Sequence, residues 1–161
     1  MTTRFKNALD ALVYAFFNDT LAKGKCTACA VGNIVANGFK KRLDPRRISA
    51  PVFSKKGFSN GAWILAFGTE NGKQYIDEEF FHNPKVVACI SATGYSIQHM
   101  IKVEYAFETN TTIFSCDYLK HTKEEIMQDQ YNGLCVVVDV LCKIEGIEDP
   151  TEYKELFAMP A

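Results

Sequence analysis

The sequence predicts a mainly α protein, a compact helical bundle with one small β-hairpin around residues 62–76. Three observations predict it. Apolar residues recur at spacings of three and four over residues 4–17 and again over 126–144, which is the period of a single helix face. Start and stop signals bracket the second stretch, with Thr122-x-x-Glu125 ahead of Ile126 and Gly146 behind Glu145. One segment, split by Asn71-Gly72, reads as paired strands instead.

Taken in order, Phe5, Leu9, Leu12, Val13, Phe16 and Phe17 mark the apolar face of a first helix over residues 4–17, broken by Asn18-Asp19. A second, short helix is expected from Cys26 to Val35, stopped by Asn37-Gly38. Residues 40–60 lose all periodicity and read as an exposed loop. Trp63 to Phe67 and Gln74 to Ile76 are the two strands of the hairpin, with Asn71-Gly72 in the connection. Periodicity cannot assign the run Val86 to Ile90, which is too short to separate helix from strand. Ser96 is an N-cap for a third helix over Ile97 to Phe107.

The longest helix is expected from the Thr122 cap to about Glu145. On a helical projection Ile126, Leu134, Val137, Val138, Leu141 and Ile144 share its inner face, and Gln128, Asn132, Asp139 and Lys143 the outer one. Asp139 is therefore a solvated residue, with Lys143 as its expected partner one turn on. Gln130 is the anomaly, because it projects onto the middle of the apolar face and its amide needs buried partners. Asp149-Pro150-Thr151 starts a final short helix.

With 161 residues the chain is about one domain, residues 1–161, and can bury roughly two-thirds of its unfolded surface without any staple. A composition of 47% hydrophobic and 23% charged residues is that of a globular chain. The N-terminal residues lack the apolar core of a signal peptide, and no apolar run approaches the roughly 18 residues of a membrane span. Six cysteines in such a chain read as reduced thiols, so a cytoplasmic location and no membrane partner are expected. The net charge of −1 hides an asymmetry, about +7 over residues 1–103 and −8 over residues 104–161. The plain reading is that the two parts pack against one another.

Cys26-x-x-Cys29 is the one spacing that belongs to known site chemistry. Two thiolates one helical turn apart can share a metal, zinc above all, or cycle as a disulfide. A helix N-terminus together with Lys23 and Lys25 favours a lowered thiol pKa. Two packing cysteines are the structural alternative. A zinc site needs two further ligands, from Cys89, Cys116, Cys135, Cys142, His82, His99 and His121. Cys135 and Cys142 cannot both serve: seven residues along one helix separate their backbones by about 10 Å, whereas sulfurs on one zinc lie within about 4.6 Å of each other.

A second candidate is nucleic-acid binding through Lys40, Lys41, Arg42, Arg46 and Arg47 in the loop 40–56, with Phe39 and Phe53 nearby. G-x-S-x-G, P-loop, G-x-G-x-x-G and H-E-x-x-H motifs are absent, so the reading leans away from an enzyme.

The stretches Cys26-x-x-Cys29-Ala30-Val31-Gly32-Asn33-Ile34, Thr93-Gly94-Tyr95-Ser96 and Tyr131-Asn132-Gly133-Leu134-Cys135-x-Val137-Val138, with residues 149–157, resemble a family of small proteins of unassigned role from Bacteroidetes bacteria and their phages. Some members carry the label of the F subunit of the sodium-translocating NADH:quinone reductase. A plant-type [2Fe–2S] centre needs C-x4-C-x2-C and a distant fourth cysteine, and this chain has only the x2 pair. The resemblance thus implies a family and no activity. The expectation is a small helical interaction or accessory protein with a protein partner or self-association, a metal site at Cys26 and Cys29, and a thiol redox role as the alternative.

Overall fold

The structure, a computed structural model, describes residues 1–23, 28–39, 69–70, 73–74 and 84–158. It is mainly α, as the periodicity requires. Helix α1 spans Thr3–Phe17, and the Thr2 hydroxyl accepts the Phe5 N–H at its start. Its inner face buries Phe5, Leu9, Leu12 and Phe16. Phe17, expected on that face, is exposed and meets Phe16 edge-on. Asn18 ends the helix, its side-chain amide donating to the Tyr14 carbonyl.

Helix α2 spans Ala30–Phe39, so the expected start at Cys26 and stop at Asn37-Gly38 are both corrected. Cys29 precedes the helix, and its sulfur accepts the Gly32 N–H as an N-cap oxygen would. Gly38 is carried within the helix at a propensity cost of about 1 kcal/mol. Of the hairpin, the described part is a ladder of β1 (Thr69–Glu70) with β2 (Lys73–Gln74), antiparallel, pairing Thr69 with Gln74 and Glu70 with Lys73. That register places Asn71-Gly72 in the connection, and the remainder of the expected strands lies outside the described residues.

The unassigned run from Val86 is helical, in α3 (Pro84–Ser91). The turn that follows holds itself together, because the Thr93 hydroxyl donates to the Ile90 carbonyl and accepts the Tyr95 N–H. Gly94 adopts φ +81°, and a Cβ there would lie 2.9 Å from the Arg4 Cβ, so both conformation and space call for glycine. Helix α4 (Ile97–Thr109) begins at a capping box in which His99 stands where Glu is usual: Ser96 Oγ accepts the His99 N–H, and His99 Nδ1 accepts the Ser96 N–H. A 3-10 helix, Ser115–Lys120, leads to α5.

Helix α5 (Lys123–Glu145) has the expected bounds, capped by Thr122 and stopped at Gly146 with φ +73°. Leu134, Val137, Val138 and Leu141 are wholly buried, and Asp139 is exposed. The partner of Asp139 is Lys154, 2.7 Å away, in place of the expected Lys143. Gln130 has found its buried partners: its Nε2 donates to the Leu21 carbonyl at 2.8 Å and to the Tyr118 hydroxyl at 3.1 Å. Asp149 Oδ1 accepts the Thr151 N–H at the start of the short α6 (Thr151–Lys154), whose N-cap position is Pro150 in place of the expected Asp149, and the helix runs into a 3-10 turn, Glu155–Phe157.

Helices α4 and α5 form the main pair, α1 packs on α2 and α5, and α2 also meets α3 and α4. The C-terminal turn folds back so that Tyr153 meets Phe5 and Phe157 meets Phe16, edge to face. The oppositely charged parts of the chain do pack together, through Arg4–Glu145 at 2.6 Å and Lys23–Glu108 at 3.4 Å. Among the described residues no helix is long and apolar enough to cross a membrane.

Candidate functional site

The segment between α1 and α2 is pinned at both ends. The Ala22 N–H donates to the Ala28 carbonyl at 2.8 Å. The Asn33 side-chain amide, one turn into α2, donates to the carbonyls of Thr20, Ala28 and Cys29. This gives Asn33 a physical role within the stretch Cys29 to Asn33: it ties Thr20, after α1, to Ala28 and Cys29 ahead of α2. Gln130 and Tyr118, both bonded to the Leu21 carbonyl, hold the same segment from the side of α5.

Four chemically active side chains meet against α4. Lys23 (8% exposed), Cys29 (1%), Glu104 (1%) and Glu108 (4%) are all buried. Glu104 and Glu108 stand four residues apart on α4 and face the start of α2. The Cys29 thiol donates to Glu104 Oε2 at 3.2 Å. Lys23 Nζ donates to the Glu108 carbonyl, lies 3.4 Å from the Glu108 carboxylate and sits 4.9 Å from the centre of the Phe114 ring. Backbone pairing of Lys23 with Phe114 fixes it there.

Burial sets the charge state. It pushes the Glu104 carboxyl well above the ordinary range, and the neighbouring Glu108 carboxyl adds to the shift, which favours the neutral form of Glu104. Burial likewise pushes the Cys29 thiol up, and Glu104 reinforces it; the Gly32 N–H acts the other way and is outweighed. The expected lowering of a thiol pKa by the helix N-terminus is therefore corrected for Cys29. Desolvation exceeds the effect of one backbone dipole. A protonated thiol in such a place is a poor nucleophile.

The other sequence-nominated residues are scattered. Cys89 and Cys142 are buried, with thiols raised by burial; Cys135 is half-buried and Cys116 exposed. His99 caps α4, and His121 pairs with Glu125 at 2.9 Å. Among the described residues no three His, Cys, Asp or Glu side chains stand together as a metal site. Cys26, His82 and the basic residues Lys40, Lys41, Arg42, Arg46 and Arg47 lie outside the described residues. Sequence reasoning missed Lys23, Glu104 and Glu108. The available signal was the i,i+4 pair of glutamates inside the apolar stripe of Ile101, Val103 and Phe107, where burial would force them to share protons and partners. Compared with protein-family models, curated proteins and solved structures, the chain matches none.

Proposed function

We propose that the chain is a small helical accessory protein that acts by binding, and that its paired cysteines Cys26 and Cys29 serve structure by holding a metal ion. The observation that carries this reading is the closed position of Cys29, 1% exposed, which suits a structural cysteine shielded from solution reagents. Apolar side chains on the outside suit a binding role: Leu119 is wholly exposed, and Tyr14, Tyr105 and Phe114 are exposed as well. Resemblance to the phage-associated family supports a phage-encoded origin. Elemental analysis of untagged, reduced protein tests the metal. One zinc per chain is expected; a metal-free protein whose cysteine pair oxidises readily would favour the thiol redox reading instead.

A further inference from the structure

We propose that His99 is an acid-sensitive latch on α4: when its imidazole takes up a proton, the cap that joins the turn at residues 93–96 to the helix comes undone.

The capping box of α4 works only with a neutral ring. His99 Nδ1 accepts the Ser96 N–H at 3.2 Å, while the Ser96 hydroxyl accepts the His99 N–H at 3.1 Å. A ring nitrogen that accepts must keep its lone pair, so the neutral ring carries its proton on Nε2. Protonation turns Nδ1 into a donor facing a donor, and that half of the box is lost. Glu or Gln, the residues usual at this position, remain acceptors near neutral pH. Histidine makes the same cap conditional on pH.

The surroundings oppose the proton. His99 lies in the first turn of α4, where the positive end of the helix dipole disfavours a cation. Partial burial first, then Arg4 of α1 and Lys102 of α4, lower the His99 pKa from its ordinary 6.5, and Glu145 of α5 acts against them. That carboxylate is already engaged by Arg4 at 2.6 Å. The Tyr95 phenol, whose ring meets the imidazole edge-on, is pushed up by burial and stays neutral. The unfolded chain therefore takes up this proton at higher pH than the folded one. Stability held by the neutral cap is present above 6.5 and is lost as pH falls. Other ties survive the change: Thr93 still bonds Ile90 and Tyr95, and Arg4 still bonds the Gly94 carbonyl and Glu145. The latch thus loosens the first turn of α4 while the bundle holds.

The test follows the full chain by NMR from about pH 8 to about pH 5, as wild type and as His99→Gln, with urea-unfolded wild type as the reference. Glutamine keeps an acceptor for the Ser96 N–H and has no proton to take up, so the fold is retained. The wild-type ring is expected in its Nε2–H form at the upper end. Its pKa is expected at least about half a pH unit below that of the unfolded chain, the roughly threefold shift that a lost cap bond brings. The Ser96 amide proton should move with that same pKa in wild type and stay still in His99→Gln. Relative to His99→Gln, the wild-type unfolding constant should rise at least about threefold over the range. The ring tautomer and pKa of wild type decide the matter without the variant: an Nδ1–H ring, or a folded pKa at or above the unfolded one, would overturn the latch. So would a Ser96 amide that does not move through the ring's titration.

Discussion

Replacing Glu104 by glutamine keeps the shape of the side chain and removes its titration, which makes the buried cluster measurable. In the unfolded chain the carboxyl titrates near its ordinary 4.5, while in the folded protein burial and Glu108 hold the proton to higher pH. Above 4.5 the unfolded chain has lost a proton that the native state keeps. Stability tied to Glu104 is therefore fully present below that pH and is lost as pH rises towards the folded-state pKa. The loss is up to about 1.4 kcal/mol for each pH unit over which Glu104 stays protonated. Glutamine carries no such penalty, so the stability of Glu104→Gln relative to wild type should grow with pH. Urea unfolding of both proteins with chelator present, at about pH 5, 6 and 7, isolates the term because all other titrating groups are common to the two chains. A stability difference that stays constant across that range would show that Glu104 is ionised in the native state, and the charge assignment of the cluster would be wrong.

Further perturbations test the packing around the site. Leu141→Ala should cost about 2–5 kcal/mol in chemical denaturation; Asp139→Ala loses only the exposed pair with Lys154 and should cost less than about 1 kcal/mol. Gly133→Ala should destabilise by about 1–3 kcal/mol despite the helix preference of alanine, since the new Cβ would lie 2.5 Å from Thr111 Cγ2; a stabilised variant would mean that α4 and α5 are further apart. For Glu145, burial raises the pKa but hydrogen bonds from Arg4, Thr2 and Tyr95 prevail and lower it. Its contribution is present above the ordinary carboxyl range and lost as pH falls through the depressed folded-state pKa. Arg4→Met should flatten that acid limb of the unfolding free energy, and an unchanged limb would count against the Arg4–Glu145 pair.

Much of the fold is legible because its signals are local. The Thr122 cap, the Gly146 stop, the Ser96 cap and the stripes of α1 and α5 each follow from residues within a few positions of one another. Gln130 announced itself as a buried amide, although its partners, Leu21 and Tyr118, lie too far along the chain to be read from it. Helix α2 begins at Ala30 and not at Cys26 for a related reason: Ala28, just before it, is held by Asn33 and Ala22 through hydrogen bonds that no helix propensity records. Of the site, the sequence shows Cys29 and conceals Glu104, Glu108 and Lys23, because only the packing of α4 on α2 brings them together. The Cys29 thiol is raised where lysine spacing and helix position point to lowering, since those speak to charge, whereas desolvation depends on burial.

The central claim is that Cys29 is a closed-off structural cysteine, shielded from solution reagents in the metal-free, folded chain. Native-state alkylation followed residue by residue by mass spectrometry, in reducing buffer with chelator, tests it most directly. Exposed Cys116 should react first, and Cys29 should be protected as fully as buried Cys89 and Cys142, reacting only when the protein opens. Modification of Cys29 as fast as Cys116, or faster, under conditions where the protein stays folded would contradict the account and make Cys29 an active nucleophile.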